Sequence, residues 1–134
     1  MSLPPIILSR LDLERIEACL DQLPAAEAQQ HAALRAELDR ADVREPQEMP
    51  PDVVTMHSRV CFEDAQGDRQ VVELVYPSAA GAPGTVSILA PVGSALLGLR
   101  IGQSIDWPMP GGHRRRLQVV AIEWQPEAAG AWHR

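Results

Sequence analysis

Lysine is absent from this 134-residue chain, and all twelve basic side chains are arginines. Aromatics are nearly as scarce: Phe62, Tyr76 and three tryptophans. A core must therefore be built mainly from Val, Leu, Ile and Ala. Cysteine appears twice, at Cys19 and Cys61, with no CxxC and no metal-ligand spacing. Both read as small buried or half-buried groups in a reducing compartment, and no disulfide is expected between them. No apolar run approaches the roughly 20 residues that span a bilayer. The start, MSLPPIILSRLDLE, lacks the charged n-region and long h-region of a secretory signal. A cytoplasmic protein with no membrane partner is the expectation.

Catalytic constellations are missing too. Gly93-Ser94-Ala95 lacks the Gly-x-Ser-x-Gly spacing of a nucleophile elbow. His57, His113 and His133 form no HExxH. Cys61 follows His57 by four residues on an extended run, which places them about 13 Å apart at 3.3 Å per residue. That is too far for a Cys–His dyad. Neither GxGxxG nor GxxxxGK[ST] occurs, so no loop cradles a phosphate. The chain is read as a non-enzyme with no metal and no cofactor.

The charge that is present is uneven. Net charge is −6, and residues 1–52 carry all of it, with eleven acids against five arginines. Phosphates repel such an end, so direct DNA or RNA binding is disfavoured. Arg114-Arg115-Arg116 is a local exception. On a strand these side chains alternate faces, so at most two point the same way.

Residues 1–45 read as a short antiparallel helical hairpin. Ser9-Arg10-Leu11-Asp12 has the S-x-x-D form of a helix start. Leu13, Ile16, Leu20 and Leu23 follow as one apolar stripe. Pro24 suits the first position of a second helix, continued by Ala28, His31, Leu34, Leu38 and Ala41. Helices of about 12 and 18 residues would span about 18 and 27 Å. His31 reads as a seam residue. The tip carries Asp21 and Glu27, which read as solvated acids at a turn and near a helix N-terminus.

Three prolines within residues 46–51 make 46–52 a stiff linker. From 53 to 134 the chain is rich in strand patterns. Strands are predicted at 53–54, 58–63, 70–76, 85–89, 104–107 and 114–124, with a short helix opened by Pro91 and stopped by Gly98 or Gly102. The product is an α+β module: a largely antiparallel sheet of five or six strands with one short helix against it. Residues 126–134 show no pattern.

With chemistry excluded, a binding surface remains. Pro91 fixes its own φ and preforms an apolar corner, which lowers the entropy lost when a partner docks. Leu96, Leu97 and Leu99 cover a wide arc of so short a helix, so either one or two lie near the surface or all complete the core. Met109 and Pro110, at the neighbouring hairpin tip, extend the corner.

Ala90-Pro91-Val92-Gly93-Ser94-Ala95-Leu96-Leu97-Gly98, with Ile101-Gly102, Pro110-Gly111-Gly112 and Ile122-Glu123-Trp124, resembles the C-terminal domain of the bacterial Gre transcript-cleavage factors. Further runs are similar to a group of nucleoside diphosphate kinase regulators in that family. They are Leu38-Asp39-Arg40-Ala41, the stretch from Met49 to Val60, Leu74-Val75-Tyr76-Pro77, and Gln125-Pro126-Glu127-Ala128-Ala129-Gly130. The resemblance implies a short coiled coil followed by an FKBP-like domain. It implies binding to RNA polymerase near its secondary channel, at the β′ rim helices, where Ala90 and Pro91 match the Gre contact. Val92, Leu96, Leu97, Met109 and Pro110 join them as candidate polymerase-binding residues. It also implies competition with Gre-type factors and an influence on nucleoside diphosphate kinase levels.

The Gre coiled coil is long and carries two tip acids that help place a catalytic metal. This hairpin is much shorter, and Asp21 and Glu27 match those acids at neither position. The expectation is a monomeric regulator that does not stimulate cleavage. The alternatives are a cleavage-stimulating Gre-type factor and, from the FKBP-like fold, a prolyl isomerase.

Overall fold

The computed structural model describes residues 4–131. Its first element is a short strand, β1 (Ile7–Ser9), which runs straight into α1 (Arg10–Asp21). Ser9 stays extended at φ −75° and ψ 149°, and its Oγ accepts the Asp12 N–H at 3.0 Å. That bond satisfies one of the orphan amides of the first turn. Ile16 and Leu20 bury the apolar stripe, and Leu13 and Leu23 flank it half-buried.

The second helix is broken rather than continuous. Pro24 sits one position earlier than expected, as an extended cap at ψ 151°, ahead of α2 (Ala25–Ala28). A 3₁₀ turn at Gln29–His31 separates α2 from α3 (Ala32–Arg40). The Ala-Ala-Glu-Ala of α2 offers no large apolar side chain to fix its phase. Leu34 and Leu38 set the phase of α3 by burial in the core. At the tip, Arg35 of α3 reaches Asp21 at the end of α1, 3.2 Å away.

Chain periodicity gave no hint of the next feature. After α3 the chain enters β2 (Asp42–Arg44), which pairs in parallel with β1, Ile7 opposite Asp42 and Ser9 opposite Arg44. This two-stranded ribbon ties the base of the helical hairpin together. The linker is not wholly extended either: Pro46–Glu48 makes a 3₁₀ turn closed by reciprocal Glu45 and Glu48 capping.

The body is a five-stranded sheet of order β5-β4-β3-β7-β6. Its strands are β3 (Arg59–Asp64), β4 (Arg69–Val75), β5 (Thr85–Ser87), β6 (Ser104–Pro108) and β7 (Arg114–Trp124). All neighbours are antiparallel except β4 and β5, which run parallel. Residues 53–54 form no strand; Val53 makes one bridge, to Arg100. The β3–β4 turn is held by Asp64, whose Oδ1 accepts the N–H groups of Gln66 and Asp68, each at 3.0 Å. The segment after β7 has structure that its sequence pattern did not reveal. Gln125 is buried, and its Nε2 donates to the carbonyls of Pro50 and Val53 at 2.8 and 2.7 Å.

Across the inner face lies α4 (Pro91–Leu96). It packs closely because Gly93 has no side chain: a Cβ there would stand 2.1 Å from the Ser87 carbonyl oxygen. One continuous core joins hairpin and body, with Leu8, Ile16, Leu20, Leu34 and Leu38 packed among Val54, Met56, Phe62, Leu96 and Leu117. Among the described residues, no helix is long and apolar enough to cross a membrane.

Candidate functional site

The predicted corner around Pro91 is the wall of a groove. About 510 Å³ in volume, it lies where the hairpin meets the body. The body supplies Leu89, Pro91 and Ser94 on one side and Trp107, Pro108 and Met109 from β6 and its exit on another. The hairpin supplies Gln30, His31, Ala33 and Leu34. Apolar groups make most of the lining, with Gln30 and His31 as polar groups on the hairpin side. His31 is thus a half-buried seam residue that also borders the groove.

The body-side walls are held for local reasons. Pro91 is the first residue of α4, where its fixed φ suits the helix and its missing N–H leaves nothing unsatisfied. The Ser94 hydroxyl donates to the Ile88 carbonyl at 2.7 Å, so α4 is pinned to the strand exit that carries Leu89. Met109 N–H donates to the His113 carbonyl at 2.7 Å and closes the β6–β7 turn. Gly111 and Gly112 both take positive φ there, at 84° and 83°.

The candidate residues separate into three sets. Pro91 and Met109 line the groove. Ala90 and Val92 stand half-buried beside it. Leu96 and Leu97 do not reach the surface: they are 0% and 2% exposed, and Leu99 is 0% exposed. The chain leaves α4 at Leu97 with ψ 129° and turns back at Gly98, so all three leucines swing inward and complete the core. The side chain of Pro110 lies outside the described residues, as does His133.

Trp107 and Leu89 are groove residues that the sequence pattern did not single out. Trp107 alternates in phase with the buried Ile105 on β6, which is the signal that could have placed it on the inner face.

At the hairpin tip, Asp21 is engaged by Arg35 and Glu27 is exposed in the first turn of α2. Among the described residues, no three His, Cys, Asp or Glu side chains stand together as a metal site. The arginine triplet is dispersed: Arg114 donates to the Asp106 carbonyl, Arg116 to the Ser104 hydroxyl, and Arg115 stands 3.6 Å from Asp64. Arg115 points to the other side from its two neighbours, as strand alternation requires.

Comparison with known proteins places this architecture. Residues 49–124 match the family model of the C-terminal part of transcription elongation factors GreA and GreB, and residues 4–43 match that of the Rnk N-terminus. The regulator of nucleoside diphosphate kinase from Escherichia coli K12 is 52% identical over 97% of each chain. The transcription elongation factor GreA of Nitrobacter winogradskyi is 30% identical, over 75% of this chain and 68% of its own. Among solved structures, a prokaryotic transcription elongation factor GreA/GreB from Nitrosomonas europaea superposes with a TM-score of 0.69 at 44% identity, covering 90% of this chain and 99% of that one. These relatives are named regulators and elongation factors rather than catalysts. The chain belongs to the nucleoside diphosphate kinase regulators of the GreA/GreB transcription elongation factor family.

Proposed function

We propose that this protein is a cytoplasmic regulator that binds RNA polymerase near its secondary channel without stimulating transcript cleavage. Residues 53–134 act as an FKBP-like body that grips the rim helices of the β′ subunit. Residues 1–45 act as a short coiled-coil arm at the channel mouth, joined to the body by 46–52. The body docks through Pro91 and Met109, with Ala90 and Val92 beside them.

The length of the arm carries this reading. Its longer helix, α1, has 12 residues, or about 18 Å at 1.5 Å per residue. Ligation of a divalent cation needs carboxylate oxygens within about 2.6 Å. A tip that falls short by even 10 Å contributes nothing to that shell. The tip acids support the same conclusion, because Asp21 is already paired with Arg35. Occupancy without chemistry makes the protein a competitor of Gre-type factors. Its effect on nucleoside diphosphate kinase then runs through transcription.

The test is to add the purified protein to elongation complexes that have backtracked, with and without a Gre-type factor. The expected result is no cleavage by the protein alone and reduced cleavage by the competitor. Cleavage restored by this protein alone would overturn the proposal. Direct binding of purified kinase, with no binding to polymerase, would overturn it as well. The groove's Trp107 and proline-bearing wall favour one rival, a prolyl isomerase, which turnover of a proline peptide would reveal.

A further inference from the structure

Two of the sequence runs shared with the family's regulators lie away from the groove. One holds Thr55, Met56, His57 and Ser58, and the other holds Gln125 to Gly130. The structure brings them together beneath α1. Thr55 and Ser58 close a tight turn: the Thr55 N–H donates to Ser58 Oγ at 3.0 Å, and the two hydroxyls lie 2.9 Å apart. Between them His57 takes φ 67°, the left-handed region that non-glycine residues seldom enter. It is held there by its N–H to the Leu74 carbonyl, and its ring stands edge-on to Tyr76 at 5.5 Å.

Two carboxyl groups grip this turn from opposite ends of the chain. Asp12, in the first turn of α1, accepts the Met56 N–H at 3.1 Å, across 44 residues of sequence. Glu127, in the C-terminal segment, accepts the Thr55 hydroxyl at 2.7 Å, across 72 residues. Their partners are adjacent residues, so the two acids face the same small region. Asp12 is 3% exposed and Glu127 is half-buried. Burial, joined by the charge of Glu127, pushes the Asp12 carboxyl up to about 7. The Met56 amide and Arg15, on the same helix, oppose the shift. Burial also pushes Glu127 up, against the Thr55 hydroxyl bond. Tyr76, at the end of β4, is pushed above the usual phenol range by burial and then by Asp12. Asp12 is thus faced by Glu127, Tyr76 and Arg15, with His57 in the turn it holds.

We propose that Asp12 and Glu127 form a carboxyl pair sharing one proton, and that this pair is a pH-sensitive joint seating the helical arm on the body. The proton resides on Asp12, the deeper group, and Glu127 keeps the charge. Loss of that proton leaves two like charges on one turn, which costs the interface and loosens the base of the arm. The groove widens as the arm loosens, because His31, Ala33 and Leu34 are its arm-side wall. None of this depends on polymerase binding.

The test uses the full chain, with side-chain carboxyl ¹³C NMR between pH 4 and 9. Asp12 is expected to titrate near neutrality, and in Glu127→Gln its midpoint is expected to fall by about half a unit or more. Amide exchange supplies the mechanical readout. The protection of Ile16 in the arm relative to Val60 in the body should fall severalfold above the Asp12 midpoint. In Asp12→Asn, which keeps the acceptor without the charge, that ratio should stay constant. An Asp12 resonance titrating near 4 would overturn the proposal. So would a midpoint indifferent to Glu127→Gln, or a protection ratio that changes equally in wild type and Asp12→Asn.

Discussion

Gly98 lies directly against Ile6. A Cβ built on Gly98 would stand 2.7 Å from Cβ of Ile6, and the Gly98 carbonyl accepts the Ile7 N–H at 3.2 Å. The glycine that ends the signature helix is therefore also the seat of the N-terminal strand. Its φ of 81° turns the chain back, and its N–H donates to Val54 at 2.9 Å. Three separated parts of the sequence meet at one residue.

Gly98→Ala is accordingly expected to destabilise by roughly 2–4 kcal/mol, combining a left-handed backbone with a clash against a buried branched side chain. Gly102→Ala is the control: its φ is 92°, but nothing lies within 4 Å of the added carbon. It should cost only about 1–2 kcal/mol. Urea unfolding of both variants at one pH makes the comparison.

Stability should fall between pH 4 and 7 on account of Asp12. Its ordinary value is 3.8, and in the folded chain it is pushed up to about 7. In this window the folded state holds a proton that the unfolded state releases, so rising pH favours unfolding. The loss is complete above about pH 7 and reaches at most about 4 kcal/mol, at 1.36 kcal/mol per unit. Asp12→Asn should flatten the profile and be more stable than wild type at pH 8. Unfolding free energies at pH 5 and pH 8 for both proteins check the sign.

Substitutions in the groove and in the core should separate binding from folding. Pro91→Asp and Met109→Asp change half-buried groove positions and should abolish polymerase pull-down while the far-UV circular dichroism stays native. Leu97→Asp buries a carboxylate with no partner, and it should fail to fold. Polymerase capture undiminished in both groove variants would move the docking surface elsewhere on the body.

Gln125→Ala removes the side chain that holds the Pro50 and Val53 carbonyls. The buried Val53 carbonyl loses its donor, at about 1–3 kcal/mol, and the half-buried Pro50 carbonyl loses the same donor at a smaller cost. Thermal unfolding should show the loss, with the first increase in proteolysis at residues 46–54.

Much of the architecture was legible because it depends on local spacing. Ser9 and Asp12 marked the start of α1, the Ile16–Leu20 stripe marked its buried face, and Pro91 with Gly98 bounded the signature helix. Pairing partners were less visible. The β1–β2 ribbon joins residues 7–9 to 42–44, and each strand is three residues long, too short for alternation to register. The β4–β5 pair is parallel for a topological reason that no window of sequence contains. Pro91 and Met109 were identifiable as corner residues. Leu96 and Leu97 were not separable from them, since their burial follows from the turn at Gly98 and not from helical phase. The roles of Asp12 and Glu127 were out of reach, because each is defined by a partner at least 44 residues away.

The parallel ribbon at the root of the arm has a practical consequence. Strands 7–9 and 42–44 clasp each other, and the clasp is bonded to Gly98 through Ile7. Attachment runs from this clasp along the buried side of the arm, through Ile16, Leu20 and Leu34, while the bend around Gln22 and Pro24 is exposed to solvent. Extra helical turns spliced in at that bend would lengthen the projection and leave its mooring untouched. Reach and attachment are separately adjustable in this scaffold, so a hairpin of any chosen length can be carried on the same root.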